Sequence, residues 1–278
     1  MFVDGRKIAN DLAGELKVAF EALPKTSVLL VIQVGEDPAS SSFIRAKQKF
    51  AEKVGVEVRL VQFSNSVSET ELQNYLRRVN GDPRISAVIV QLPLPGNIRA
   101  STVLDFIDPT RDPDLLSFGS REMFRLGQSK ILPPVVSAVA EILTLNRVYL
   151  SDLDIAVVGD GKLVGEPVGV WLGNQKLEYA LVTSETKNIK SILQNADVII
   201  SGAGSPGLIK PDMLKDGVVL IDAGTSEEGG KPGKLAGDAD PACLDKCALF
   251  TPVPGGVGPI AVAMLFQNLL KLSGETAQ

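Results

Sequence analysis

Short apolar runs alternate with helical periodicity along most of the chain. The runs Ser27–Val34, Glu57–Phe63, Ala87–Leu92, Ile155–Val158, Tyr179–Thr183, Val198–Ser201 and Val218–Ile221 are mostly near-continuous in Val, Ile and Leu. Parallel strands covered on both faces read this way, whereas half-exposed strands alternate. Helical spacing predicts helices between them at Lys7–Glu21, Ser40–Val54, Glu69–Asn80, Val136–Asn146, Glu166–Asn174 and Lys187–Gln194. Alternating βα units imply an α/β fold with parallel sheets and right-handed crossovers. The rhythm breaks twice. Ile107–Pro134 is turn-rich and poorly periodic, and is expected to hold a domain junction. The loop TPVPGGVGP, Thr251–Pro259, precedes an apolar helix predicted at Ile260–Leu272.

Composition narrows the chemistry. The 278 residues carry 28 Lys+Arg against 33 Asp+Glu, a net charge of −5 that is too mild for a nucleic-acid surface. Histidine is absent. A Ser-His-Asp or Cys-His relay and any His-ligated metal are therefore excluded, and acid–base work falls to Lys, Asp, Glu, Tyr, Cys or water. Cys243 and Cys247 are the only thiols, too few for a four-cysteine metal site; four residues apart on a helical turn, they read as small core residues. No metal is expected. The charged N-terminus and the lack of an uncharged apolar run of roughly 20 residues predict a cytoplasmic protein without a membrane span.

Several loops carry candidate chemistry. Gly159-Asp160-Gly161-Lys162-Leu163-Val164-Gly165 follows an apolar strand and opens a helix, so its backbone amides can approach a pyrophosphate at the positive helix end. Its spacing is one residue longer than the usual dinucleotide fingerprint. Two later strands end in Gly202-Ala203-Gly204 and in Asp222-Ala223-Gly224-Thr225, small residues suited to a ligand crevice. Thr183-Ser184-Glu185 closes the second strand of this unit, where an acid commonly takes ribose hydroxyls and disfavours a 2′-phosphate. Phe43 and Lys47 share one helix face, and Gln91 ends the strand AVIVQ. Asp112 and Asp114 in RDPD read equally as turn residues. Pro254, Gly255 and Gly256 sit in a loop rigid enough, and open enough, to receive a flat ligand.

The chain resembles the bifunctional methylenetetrahydrofolate dehydrogenase/cyclohydrolase family. The resemblance runs nearly full length: DGRKIA, VGEDPAS, the FxxxK helix, VQLPLP, RDPD, GxGxxVGxP, KPDMLKDG, GKLAGDAD and TPVPGGVGPIAVAML, in that order. It implies two domains around a cleft, an N-terminal αβα folate-binding catalytic domain (1–117 plus 256–278) and a Rossmann-like NAD(P)-binding domain (118–255). It also implies a homodimer and a last helix that rejoins the first domain. Lys47 matches the family's catalytic lysine, Gln91 the glutamine that bonds it, and Asp114 the aspartate that holds the pterin end. Phe43, Pro254, Gly255 and Gly256 fall at folate-contacting positions, the last three between folate and nicotinamide. The implied chemistry is oxidation of 5,10-methylenetetrahydrofolate by NAD or NADP, then hydrolysis of the methenyl product to 10-formyltetrahydrofolate.

The chain departs from the family at five places. Phe43 replaces a tyrosine, Leu115 the glycine after the aspartate, and Pro133-Pro134-Val135-Val136 a P-C-T-P segment. The nucleotide loop reads Gly159-Asp160-Gly161 for G-R-S, and Thr183-Ser184-Glu185-Thr186 replaces H-S-R-T. Two basic positions become acidic, which predicts NAD over NADP. The same departures define two alternatives, a cyclohydrolase-only enzyme and a non-catalytic folate- or partner-binding paralogue.

Overall fold

The computed structural model describes residues 1–227 and 235–275. The chain forms two compact units, Met1–Ala9 with Val135–Ala261, and Asn10–Pro134 with Val262–Gln278. The second contains a three-stranded parallel sheet: β1 (Val28–Val34) lies between β2 (Glu57–Phe63) and β3 (Ala87–Val90). Every residue of β1 is buried, because a central parallel strand has both faces covered. The edge strand β2 is partly exposed. One face of β1, Val28, Leu30, Ile32 and Val34, joins a core with Leu72 and Leu76 of α3 (Glu69–Asn80). Helix α1 is Gly5–Glu21. Helix α2 (Pro38–Val54) starts where the Asp37 carboxylate accepts the Ser40 amide at 2.6 Å and Pro38 sets the first turn; it ends at Gly55 in the left-handed region.

The other unit holds a five-stranded parallel sheet ordered β10-β7-β6-β4-β5: Cys247–Phe250, Val218–Asp222, Val198–Ser201, Ile155–Val158 and Ala180–Val182. β4 leads through α7 (Gly165–Asn174) to β5 on one side and pairs with β6 on the other. Chain direction across the sheet thus reverses beside β4, the place where open α/β sheets bind ligands. The small sheet has the same property, with β2 and β3 on opposite sides of β1. A two-stranded antiparallel ribbon, β8 (Ser226–Glu227) and β9 (Leu235–Ala236), follows β7.

The structure corrects several expectations. Residues 118–134 group with the three-stranded unit, and 1–9 and 256–261 with the five-stranded one. Backbone bonding gives the reason: Val3 donates to Phe250 and Gly5 to Gly255, while Asn268 Nδ2 donates to the carbonyls of Pro113 and Leu132. The supposed junction contains a short helix, α5 (Phe118–Arg125), capped by Ser117, and another, α4 (Ala100–Leu104), lies just before it. Helix α6 spans Pro134–Leu145 and α8 Ile189–Asn195. Cys243 lies in a 3₁₀ turn, Pro241–Lys246, and Cys247 opens β10, so the pair shares no α-helical turn. The last helix, α9, is Val257–Glu275, longer than predicted because Pro259 fits within its first turn. Its stretch Val257–Gly274 is long and apolar enough to cross a membrane by length and composition, but 56% of it is buried in the protein. Phe266 on this helix is fully buried and lies 5.1 Å, centroid to centroid, from Phe50. Gly233 and Lys234 of the GKLAGDAD motif, and 276–278 of the expected first domain, lie outside the described residues.

Candidate active site

In the three-stranded unit the structure brings Lys47, Gln91 and Asp114 into one group. Gln91 continues from the C-terminal end of β3, and α2 carries Lys47 across to it; Lys47 Nζ donates to Gln91 Oε1 at 2.8 Å. The Gln91 amide is oriented from its other end, where Nε2 donates to the Leu92 carbonyl at 2.7 Å. Its oxygen therefore faces the lysine. Ser40 Oγ donates to the same carbonyl at 3.3 Å, and the Leu92–Pro93 peptide is cis. Phe43 lies one turn before Lys47 on α2 and is 39% exposed.

Electrostatics couple the lysine and the aspartate. Burial lowers the Lys47 pKa below the usual lysine range, and the Asp114 charge partly opposes this. Burial pushes Asp114 up to about 6; Lys47 draws it down and Asp112 pushes it further up. Asp114 stands on a braced turn. Asp112, 1% exposed, accepts from the Ser117 amide at 2.8 Å and from the Leu116 amide at 3.3 Å. Leu115 adopts φ 55°, so the left-handed conformation persists without glycine.

The nucleotide candidates gather at the ends of β4, β5 and β6. Gly159 has φ 94°, and a Cβ there would lie 2.8 Å from the Gly202 carbonyl oxygen and the Ala203 Cα. Its amide donates to Val182 at the end of β5, which puts the turn beside Thr183-Ser184-Glu185. A Cβ at Gly165 would overlap the Gly159 carbonyl oxygen, so this glycine closes the turn against the helix. Val164 lies against Gly202, and no side chain caps α7. Gly161 differs: its φ is ordinary and the only close heavy atom to a Cβ there is the Gly202 oxygen at 3.9 Å. The fold does not require glycine at 161, which leaves open space above its backbone. With an uncapped helix N-terminus beside it, this turn fits a dinucleotide pyrophosphate. Asp160, Lys162, Ser184, Glu185, Ala203, Gly204 and Thr225 are exposed, whereas Gly224 is buried.

Pro254, Gly255 and Gly256 also belong to the five-stranded unit. Gly255 has φ 110° and its carbonyl accepts from Gly5; the Gly256 amide donates to Pro252 at 2.8 Å, and the Val253–Pro254 peptide is cis. Sequence reasoning missed Ser40, Asn268, Asp222 and Asp238 as organising residues. Each is a buried polar group inside a motif or an apolar helix, a signal visible only once burial is known.

Fold and site define a two-unit α/β enzyme in which a lysine–glutamine–aspartate group and a glycine-rich strand-to-helix turn lie in separate units. Comparison with known proteins agrees. Residues 3–114 match the tetrahydrofolate dehydrogenase/cyclohydrolase catalytic domain, and residues 133–277 match the NAD(P)-binding domain of the same enzymes. The chain is 35% identical over 278 residues to the bifunctional protein FolD of Bacillus subtilis, covering 99% of this chain and 98% of that one. The crystal structure of FolD from Campylobacter jejuni superposes with a TM-score of 0.94 at 30% identity, covering 99% of each chain. The Trypanosoma brucei enzyme, solved with NADP and an inhibitor, gives 0.93 at 30% identity over 100% of this chain and 98% of that one. The chain belongs to the tetrahydrofolate dehydrogenase/cyclohydrolase family.

Proposed function

We propose that the protein oxidises 5,10-methylenetetrahydrofolate to the methenyl form and hydrolyses that product to 10-formyltetrahydrofolate. The observation that carries this reading is the 2.8 Å bond from Lys47 Nζ to Gln91 Oε1, in a site that depresses the lysine pKa and raises that of Asp114. A bound nicotinamide dinucleotide supplies the hydride acceptor. Gly159, Gly161 and the α7 N-terminus would hold its pyrophosphate. Asp114 takes the pterin end of the folate, and Phe43 stacks on it. When water adds to the methenyl carbon, it must lose a proton. Lys47, made less basic by burial, takes that proton and passes it to N5 as the bond from the carbon to N5 breaks, while Gln91 directs the lysine's nitrogen. The adduct's remaining hydroxyl proton leaves for solvent as the formyl C=O forms, so one proton is released overall.

The preferred nucleotide is NAD. Asp160 and Glu185 are both exposed, on the turns after β4 and β5, where the family carries basic residues. A 2′-phosphate would meet like charge at both. Converting both to arginine should raise NADP use relative to NAD by about tenfold or more. Family resemblance supports a homodimer, testable by light scattering of the purified protein, and two unpaired thiols fit a reducing, cytoplasmic compartment.

The decisive assay follows methenyl absorbance from 5,10-methylenetetrahydrofolate with NAD and NADP offered separately, alongside methenyl decay without nucleotide. Turnover with NAD supports the reading. Methenyl decay without hydride transfer to either nucleotide would reduce the protein to a cyclohydrolase. Silence in both assays would leave a folate-binding paralogue.

A further inference from the structure

Two buried carboxylates in the five-stranded unit have no role in the reaction described above. Asp222 closes β7 and Asp238 follows β9; each is 1% exposed. Asp238 accepts three short hydrogen bonds. Its Oδ2 takes the Ser201 hydroxyl at 2.6 Å and the Ala203 amide at 2.7 Å, and its Oδ1 takes the Ser205 amide at 2.7 Å. These partners are the last residue of β6 and two residues of the loop after it. One side chain therefore ties down the turn Gly202–Ser205, which flanks the glycine turn after β4.

Asp222 braces the neighbouring loop. Its Oδ1 accepts from the Gly224 amide at 2.9 Å and its Oδ2 from the Ala239 amide at 2.8 Å. Its backbone is pinned as well, since its N–H donates to Thr251 Oγ1 at 2.6 Å. Packing of the two carboxylates is reciprocal. A Cβ on Gly224, two residues after Asp222, would overlap the Asp238 carboxyl; one on Gly237, next to Asp238, would overlap that of Asp222. Glycine is required at 224 and 237 to admit these acids.

The donor count fixes what residue 238 must be. Three donors converge on two oxygens, so the site needs an acceptor at both. An asparagine has one oxygen, and its NH₂ would oppose at least one N–H or O–H at 2.6–2.7 Å. A buried donor left without an acceptor is costly, and the loop would move to find water.

We propose that Asp238 is the positioning residue of the nicotinamide side of this enzyme: through Ser201, Ala203 and Ser205 it holds the turn Gly202–Ser205 in the shape that receives the dinucleotide. Hydride transfer then depends on Asp238 although the residue does not touch the reacting atoms. Hydrolysis, carried by Lys47 and Gln91 in the other unit, depends on it far less. This inference rests on the NAD(P)-dependent reading of the site.

The test compares wild type, Asp238→Asn and Ser201→Ala. Calorimetric titration with NAD and with NADP gives affinity without turnover. The ratio of dehydrogenase to cyclohydrolase rate and the melting temperature without nucleotide complete the set. Asp238→Asn should weaken NAD binding about tenfold and lower the rate ratio by a similar factor, with the KM for NAD rising more than kcat falls. Ser201→Ala, which removes one of three donors and no charge, should weaken binding about threefold. If Asp238→Asn does not fold, Ser201→Ala decides the matter. Unchanged affinity and ratio in the folded variants would overturn the proposal, and so would a parallel fall of both activities, which marks a merely structural role. A wild type that binds neither nucleotide would refute the cofactor reading itself and the proposal with it. Binding by wild type with unaltered variants would refute the proposal alone.

Discussion

Lys47 shows how burial converts a common surface residue into a chemical group. By periodicity it is one lysine on an amphipathic helix, as Lys49 is; burial, the Asp114 charge and the Gln91 oxygen 2.8 Å away distinguish it. Lys47→Met keeps the length and apolar stem and removes the amine, so methenyl hydrolysis should fall on the order of 10²–10⁴-fold with folate still bound, as stopped-flow decay would show. Asp114 sets the acid side of the pH profile. Its carboxyl, held at about 6, becomes neutral as pH falls through that value, and on the proposed reading it loses the charge offered to the pterin. The KM for folate should therefore rise below about pH 6, and Asp114→Asn should show a high KM with no such limb. No imidazole can produce that limb, because the chain has no histidine.

At the scale of elements, the β4–α7 turn separates two kinds of glycine. Gly165→Ala pushes a Cβ into the Gly159 carbonyl, so both nucleotide affinity and melting temperature should drop. Gly161→Ala meets only an oxygen at 3.9 Å and should leave stability within about 0.5 kcal/mol while weakening nucleotide binding. A calorimetric melt paired with a titration checks both. Most long elements were legible. Glu57–Phe63, Glu69–Asn80, Ile155–Val158 and Val198–Ser201 match their predicted bounds, since continuous β-branched runs and capped helices carry strong local signals. α5 and β10 were not. Eight and four residues long respectively, they owe their existence to the Ser117 cap and to pairing with β7 rather than to periodicity.

Across the whole molecule, residues far apart in the chain set the frame of each site. Asn268 on α9 donates to Pro113 and Leu132, and so braces the Asp114 turn from more than a hundred residues away. Asn268→Ala leaves two carbonyls unpaired; a loss of about 1–3 kcal/mol in stability and a raised folate KM are expected, read by denaturant titration and initial rates. Asp222 links stability to pH. Desolvation raises its carboxyl from 3.8 to about 6, so the folded protein keeps a proton that the unfolded chain has released. Its contribution is present below about pH 4 and is lost as pH rises through 6. Between pH 4 and 7 the melting temperature of Asp222→Asn should therefore gain several degrees on that of wild type.

The sequence alone determined the α/β class, the parallel strands, the family and the residues that could act, because these depend on local periodicity, residue chemistry and motif order. Zero histidine alone removed whole classes of mechanism. Tertiary structure decided which of those residues meet. It placed Gln91 against Lys47, grouped 118–134 with the three-stranded unit and 1–9 with the five-stranded one, and let α9 bury an apolar face long enough to span a membrane. It also revealed Asp222 and Asp238, whose importance lies in convergence: three donors from β6 and its loop meet one carboxylate 33 to 37 residues later in the chain. Burial and long-range hydrogen bonding are properties of neighbours in space, and neighbours along the chain do not encode them in any local pattern.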